Sequence, residues 1–253
     1  GLLDKEKIEL ELKPFNAIEF YKANLKTLNS FLTNENNILN VWSFIYDNWI
    51  VFKEDDEIKK SLYQLLILCK PIQEGVLNIK TVSFAYVPKE FAKEDEVETI
   101  IATLNLTGKF FIESKFSSAK RPDIKKWNEI LKSSRAKSGL KHVITELVTQ
   151  LPTLDDSLHF KACIEIFKYW KANKEKPETQ LTETQKTTIQ QTLKLKCAEG
   201  YYKANQCIIS EYYSGDERIN KIMPSIILKN QISSEYQPNQ TFVSEWKQFF
   251  SFI

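Results

Sequence analysis

The chain has 253 residues, of which 42% are hydrophobic and 12% aromatic, and its 35 basic side chains nearly balance 33 acidic ones. This content supports a large buried core, in one elongated domain or two small ones, and it argues against a disordered chain. The net charge of +2 does not mark the whole molecule as a binder of nucleic acid or acidic lipid. Either role would need a local basic patch.

The lengths of the apolar runs and the spacing of the cysteines narrow the class of protein further. The longest apolar run, at 65–69, is too short to cross a bilayer, and the N-terminus lacks the pattern of a signal peptide. The four cysteines, Cys69, Cys163, Cys197 and Cys207, are isolated, and no pair has the spacing of a zinc site or a redox motif. We expect a soluble, cytoplasmic protein with reduced core cysteines on apolar helical faces.

The first ninety residues predict strands and helices. Residues 8–12 alternate apolar and charged side chains like a half-buried strand, and the period becomes helical after Pro14. Helices are predicted over 21–32, 38–52 and 58–69 from apolar residues spaced three or four apart. Residues 77–87 are rich in β-branched and aromatic side chains and stop at Pro88, which predicts a strand that pairs with the opening one.

The remainder of the chain is mostly helical in pattern. Residues 90–136 have an acidic start, a candidate strand at 100–112 and a lysine-rich section. A short amphipathic helix is predicted over 140–148, and the acidic residues Asp155 and Asp156 open the next one. After a polar loop at 174–184, apolar residues from Ile189 to Tyr212 predict a helix of about seven turns or more. Pro224 opens or kinks a further helix, and an aromatic tail follows.

Several segments resemble the BRO domain, the module of Alix-type ESCRT adaptors, in that family's order. The segments are Ile8-Glu9-Leu10-Glu11-Leu12-Lys13, Tyr63-Gln64-Leu65, Val82-Ser83-Phe84-Ala85-Tyr86, Val148-Thr149-Gln150-Leu151, Leu158-His159-Phe160-Lys161-Ala162, Leu195-Lys196-Cys197-Ala198-Glu199-Gly200-Tyr201-Tyr202 and Ser225-Ile226-Ile227-Leu228-Lys229-Asn230-Gln231. The resemblance extends over most of residues 8–250.

The resemblance implies a fold, a domain organisation and a function. The fold would be mainly α, an elongated stack of antiparallel helices with a solenoid-like core and a small β-sheet near the N-terminus. The single BRO-like domain, 1–253, would comprise strands and helices at 8–90, a divergent insertion at 91–136 and a helical core at 137–253 that ends earlier than the family's. The protein would be a non-enzymatic, cofactor-free adaptor, peripheral on endosomal membranes, for sorting or membrane scission.

The same resemblance implies a partner site. BRO domains bind an amphipathic C-terminal helix of an ESCRT-III subunit in a helix-in-groove mode. The matching positions here are Tyr201, Ile226 and Asn230, where Asn230 replaces the family's leucine. The alternative is that Tyr201 and Ile226 are ordinary core residues at helical spacing.

The lysine-rich section offers a second candidate site. Nine basic and two acidic residues lie between Lys115 and Lys141, a local charge of +7. The candidate contacts are Lys120, Arg121, Lys125, Lys126, Lys132 and Arg135. They would hold acidic lipid headgroups or, in the alternative function, the backbone of a nucleic acid. The other interpretation, which we favour, is a solvated surface.

The sequence contains few patterns that indicate a catalytic site. The six glycines are not clustered to cradle a phosphate, and no Ser or Cys stands in a nucleophile-elbow pattern. His159 near Asp155 and Asp156 would form an acid–base pair, but a helix cap beside a partly exposed histidine is the better interpretation. We expect a protein that is not an enzyme.

Overall fold

The computed structural model describes residues 15–71, 76–92, 95–106, 108–177, 180–207, 232–236 and 243–252. Helices dominate, and a small antiparallel sheet lies near the N-terminus, as the sequence predicts. The chain divides into two compact units: unit 1 comprises residues 1–70, 77–85 and 112–136, and unit 2 comprises 71–76, 86–111 and 137–253. The strand predicted at 8–12 and the helix predicted around Pro224 lie outside the described residues.

The described helices and strands follow in chain order. The helices are α1 (Ala17–Phe31), α2 (Glu35–Asp47), α3 (Trp49–Phe52), α4 (Asp56–Leu62), α5 (Lys89–Ala92), α6 (Asp95–Thr103), α7 (Ile124–Ser133), α8 (Leu140–Gln150), α9 (Asp156–Asn173), α10 (Glu183–Thr192) and α11 (Val243–Phe252). The strands are β1 (Leu66–Pro71), β2 (Asn78–Thr81), β3 (Phe110–Ile112), β4 (Lys194–Cys197) and β5 (Gly200–Lys203). Helices predicted near 21–32, 140–148 and from Asp155 onward are confirmed, and the one predicted over 38–52 is divided at Asn48 into α2 and α3.

Polar side chains fix where several helices begin. The side-chain oxygens of Asn16, Asn34, Asp55 and Asp123 accept hydrogen bonds from backbone N–H groups of the first turn that follows each of them. Thr182 forms a reciprocal capping box with Gln185 at the start of α10. These caps satisfy N–H groups that have no partner inside the helix.

The third predicted helix, 58–69, is wrong beyond Leu62. The chain turns there and continues as β1, which pairs antiparallel with β2 from Leu66 opposite Thr81 to Cys69 opposite Asn78. The sheet order is β2–β1–β3. Three consecutive β1 residues are buried, so neither a two-residue nor a helical period distinguishes this segment in the sequence. The strand predicted at 77–87 is shorter than expected and its described partner is β1.

The candidate strand at 100–112 is largely wrong as well. Its first residues, 100–103, are the last turn of α6, in which Val97, Ile100 and Ile101 are buried at helical spacing. Only Phe110–Ile112 forms a strand. Asn105 and Gly108, both with positive φ angles, lie between the helix and that strand.

The long helix predicted from Ile189 to Tyr212 is also wrong. Helix α10 ends at Thr192, and β4 and β5 form a hairpin in register from Lys194 opposite Lys203 to Cys197 opposite Gly200. Gly200 has a φ of 145°, which L side chains rarely adopt, so the turn depends on glycine. In β4 the buried residues Leu195 and Cys197 alternate with half-buried lysines, the period of a strand.

Aromatic side chains fill the core of unit 1. Trp42 and Trp127 are buried and both contact Phe116, with ring centroids 6.2 and 5.9 Å apart. The Trp42 indole N–H donates to the Leu66 carbonyl at 2.8 Å, so its polar atom is satisfied. Tyr46 packs on Trp127 at 4.8 Å.

The core of unit 2 surrounds α9. Phe167 of this helix stacks on Trp246 of α11, with ring centroids 3.7 Å apart and planes 10° from parallel. Ala162, Cys163 and Ile166 are fully buried. Helices α6 and α8 and strand β4 contribute further apolar residues to the same cluster.

His159 links α9 to β4 within this core. It is 2% exposed, so the expectation of a partly exposed histidine is wrong. The Lys194 backbone N–H donates to its Nδ1 at 3.1 Å, which requires an unprotonated Nδ1. Burial and the nearby Lys194 charge lower the pKa of His159 from 6.5, against opposing effects of Asp156 and a hydrogen bond with the Leu154 backbone.

We expect His159 to make the fold acid-sensitive. Because its pKa is lower in the folded chain than in the unfolded one, the unfolded chain takes up the proton first as pH falls below 6.5. Urea unfolding should therefore show a smaller free energy at pH 5 than at pH 7.5, and His159→Phe should reduce this difference. His142→Phe, which changes an exposed histidine, is the control and should keep the wild-type dependence. If the free energy of unfolding depends on pH equally in all three proteins, His159 is not the source of the acid sensitivity.

Candidate functional site

Tyr201 lies on a strand rather than on the predicted helix. It belongs to β5, opposite Lys196 of β4, and it is half-buried. Ile226 and Asn230, the other two residues of the predicted partner site, lie outside the described residues.

The same hairpin brings together two cysteines that the sequence presents as isolated. Cys197 ends β4, and Cys207 follows the 3₁₀ turn Ala204–Gln206 after β5. Their sulfur atoms lie 3.5 Å apart. The expectation that each cysteine stands alone on a helical face is wrong for this pair. It is also wrong for Cys69, which lies on strand β1, whereas Cys163 does lie on a helix, α9. All four cysteines are free thiols.

Carboxylates from distant parts of the sequence neutralise part of the basic section. Arg121 donates to both oxygens of Asp47, from Nε at 3.0 Å and from Nη2 at 2.5 Å. Lys115 pairs with Glu35 at 2.9 Å, and Lys137 pairs with Glu146. The charge of +7 counted along the sequence therefore overstates the charge available to a ligand.

The other basic residues of the section differ in their surroundings. The Lys126 ammonium lies 4.2 Å from the centre of the Tyr46 ring, and the Arg135 guanidinium lies 4.1 Å from that of Tyr63. Lys120, Lys125 and Lys132 are exposed and form no ion pair among the described residues. Of the six predicted contacts, five thus keep a positive charge without a described carboxylate partner, and Arg121 does not.

Unit 2 contains a cleft that the sequence did not predict. Helices α6, α8 and α9 line it, and its volume is about 430 Å³. Ile100, Leu140 and Ile144 supply apolar surface, while Thr99, Thr103 and Ala172 are exposed at its edge. Helices α8 and α9 are predicted from the sequence, but part of α6 lies in the region predicted as a strand. The cleft also requires three segments that lie apart in the sequence, at 96–103, 140–144 and 165–172.

The edge of this cleft carries a small excess of negative charge. Glu165 pairs with Lys168 at 2.8 Å, whereas Glu96 is exposed and has no ion-pair partner in the described part of the chain. Tyr169 also lines the cleft, and its burial raises the pKa of its hydroxyl. An apolar cleft whose edge carries a carboxylate without a described ion-pair partner suits a ligand that is apolar on one side and basic beside it.

A third group of charges lies elsewhere in unit 2. Glu146 of α8 forms ion pairs with both Lys109 and Lys137, and all three side chains are mostly shielded from solvent. Burial lowers the pKa of Lys109 and of Lys137, and the charge of Lys109 lowers that of Lys137 further. One carboxylate thus compensates two partly buried ammonium groups.

No protein-family model, curated protein or solved structure matches the chain. Among the described residues, no helix has the length and apolar character needed to span a bilayer. In the same residues, no three His, Cys, Asp or Glu side chains are grouped as ligands for a metal ion. The BRO resemblance therefore rests on the sequence segments alone.

We expect Glu146→Gln to destabilise the fold by about 1–3 kcal/mol, because it leaves two partly buried ammonium groups without their carboxylate. Urea unfolding at pH 7.5 measures the change. Glu165→Gln is the matched control, since its partner Lys168 is exposed, and it should cost less than about 1 kcal/mol. Equal costs for the two variants would show that the Glu146 cluster contributes no more than a surface ion pair.

Proposed function

We propose that this protein is a non-enzymatic adaptor that binds an amphipathic helix of a partner protein, and that the cleft between α6, α8 and α9 contributes to binding. The observation that supports the proposal is the cleft itself: about 430 Å³ of space lined by apolar side chains, with the exposed carboxylate of Glu96, which has no ion-pair partner among the described residues, at its edge. Helix-in-groove recognition uses apolar anchors three or four residues apart, which such a cleft accepts. A basic residue beside the anchors would face Glu96.

The resemblance to BRO domains suggests the source of this helix. We propose the C-terminal amphipathic helix of an ESCRT-III subunit, and with it a cytoplasmic role at endosomal membranes without a cofactor. The same resemblance would place the helices of unit 2 in an elongated, solenoid-like stack of antiparallel helices. Tyr201, Ile226 and Asn230 remain the partner-site residues that the resemblance implies, and the cleft is an additional site within the same proposal.

The proposal is tested by calorimetric titration with a peptide of that helix from an ESCRT-III subunit of the same organism. Ala172→Trp should reduce the affinity about tenfold or more, because an indole placed at the edge of the cleft occupies space that the helix needs. Ala102→Trp makes the same change at an exposed position of α6 outside the cleft, and the affinity should not change. Both variants add surface and leave the core intact.

Two further variants separate the cleft from the family-derived site. Glu96→Lys should weaken the binding of a basic amphipathic peptide and have less effect on the binding of an acidic one. Ile226→Asp should abolish binding if the helix lies on the site that the BRO resemblance nominates. If the wild-type protein binds no such peptide, the adaptor proposal is wrong; if only Ile226→Asp affects binding, the cleft assignment is wrong.

A second candidate function is binding of a nucleic acid or an acidic membrane surface by the basic section. The observation that favours it is the exposure of Lys120, Lys125 and Lys132 without a described carboxylate partner. Ammonium groups that are not already paired can replace the counterions of a phosphate backbone or an anionic headgroup.

Charge reversal tests this second candidate. Lys125→Glu with Lys126→Glu should weaken binding to an oligonucleotide or to phosphatidylserine vesicles, and should reduce the steepness of the salt dependence. The double variant Lys26→Glu with Lys60→Glu makes the same change of net charge at exposed lysines of α1 and α4 and should have a smaller effect. If both double variants lose the same amount of binding, then binding depends only on the overall charge of the protein and not on the basic section.

A further inference from the structure

The β4–β5 hairpin places two thiols within reach of each other. Cys197 is the last residue of β4 and faces Gly200 across the turn, and the chain returns along β5. The following 3₁₀ turn, Ala204–Gln206, is closed by a hydrogen bond from the Cys207 N–H to the Ala204 carbonyl at 3.2 Å. This turn directs Cys207 back to the end of β4, with its Sγ 3.5 Å from that of Cys197.

We propose that Cys197 and Cys207 are a reversible thiol–disulfide pair, a modification site for two-electron oxidants such as hydrogen peroxide. The sulfur atoms are already in contact, so a bond of about 2 Å requires only a small local movement. Cys207 is half-exposed, which gives an oxidant access to the pair, whereas Cys197 is 4% exposed.

Contacts between the two thiols also favour the first step of oxidation, in which a thiolate attacks the oxidant. Hydrogen bonding with Cys207 lowers the pKa of Cys197, although burial acts in the opposite direction. The same hydrogen bond and burial raise the pKa of Cys207. Cys197 is therefore the thiol that ionises more readily, and thiolates are the nucleophiles in this chemistry.

The reaction balances with peroxide as the only oxidant. The Cys197 thiolate attacks one peroxide oxygen, the O–O bond breaks, and a sulfenic acid and hydroxide form. The Cys207 sulfur then attacks the Cys197 sulfur, the S–O bond breaks, and the Cys207 proton and the departing hydroxide leave as water. Two thiols and one peroxide give one disulfide and two waters; the sulfurs lose two electrons, and peroxide gains them. An exogenous dithiol reverses the change by exchange.

The other two cysteines lack these features. Cys69 of β1 and Cys163 of α9 are both fully buried, and burial raises the pKa of each thiol, that of Cys69 to about 12. Neither has another cysteine sulfur within hydrogen-bond distance among the described residues. They serve as internal controls for oxidation at a lone thiol.

Oxidation would act on a hairpin that is anchored in the core. The Lys196 N–H donates to the Tyr236 hydroxyl at 2.9 Å, and the Lys196 carbonyl accepts from the Ser233 N–H at 3.0 Å. A bond between Cys197 and Cys207 would tie the end of this anchored strand to the half-exposed turn that follows β5. It would thereby restrict the segment that carries Tyr201.

Peptide mapping of the peroxide-treated full chain tests the proposal directly. Trypsin cleaves after Lys196, Lys203 and Arg218, so the two cysteines fall in separate fragments, 197–203 and 204–218. After mild peroxide treatment and blocking of free thiols, we expect these fragments to be joined, with a mass about 2 Da below their sum. Dithiothreitol should separate them, and free thiols should fall from four to two.

Matched variants identify the pair. Cys207→Ser should abolish the linked fragment and leave Cys197 open to further oxidation, while Cys163→Ser and Cys69→Ser should leave the link in place. The proposal is overturned if the wild-type fragments stay separate, if Cys197 or Cys207 is joined to Cys163, or if the link joins two chains rather than one. The wild-type map decides the matter even if a variant fails to fold.

Discussion

Helix α9 must bury more than one side at once, and unit 2 is organised around that requirement. Its residues pack against α8, β4 and α11, and they include a polar one, His159, whose Nδ1 accepts a hydrogen bond from the backbone of β4. A helix buried on several sides cannot tolerate an uncompensated polar group. The same helix supplies Tyr169 and Ala172 to the cleft, so the candidate binding surface is the outer side of the element that holds the core together.

The sequence was informative where structure is local. Helices α1, α8 and α9 were predicted because apolar residues three or four apart act within one segment. The acidic cap expected at Asp155 forms no side-chain hydrogen bond with the first turn of α9. Strand β1 was not predicted, because its partner β2 is about ten residues further on and its consecutive buried residues have no period. The β4–β5 hairpin was missed although its alternation and Gly200 are visible in the sequence; apolar residues at 189, 193, 197 and 201 fit a helical spacing equally well.

The candidate sites were harder to predict than the helices. The thiol pair depends on the hairpin register, so mistaking the hairpin for a helix separated Cys197 from Cys207 by nearly three turns. The cleft depends on how α6, α8 and α9 pack, which no single segment specifies. Tyr201 could be placed, and its strand setting differs from the helix that the BRO resemblance implies for that segment.

The basic section shows most clearly that a group of residues close together in the sequence does not by itself form a binding site. Asp47 is 74 residues from Arg121, yet the two form a bidentate pair that occupies one of the two arginines of the basic section. The exposed lysines that remain act through water and are screened by salt over about 8–10 Å. The cleft of unit 2 instead offers apolar surface, whose contribution to binding salt weakens little. The helix recognition that we propose therefore fits the cleft better than the basic section, while exposed lysines give a general attraction for anionic surfaces.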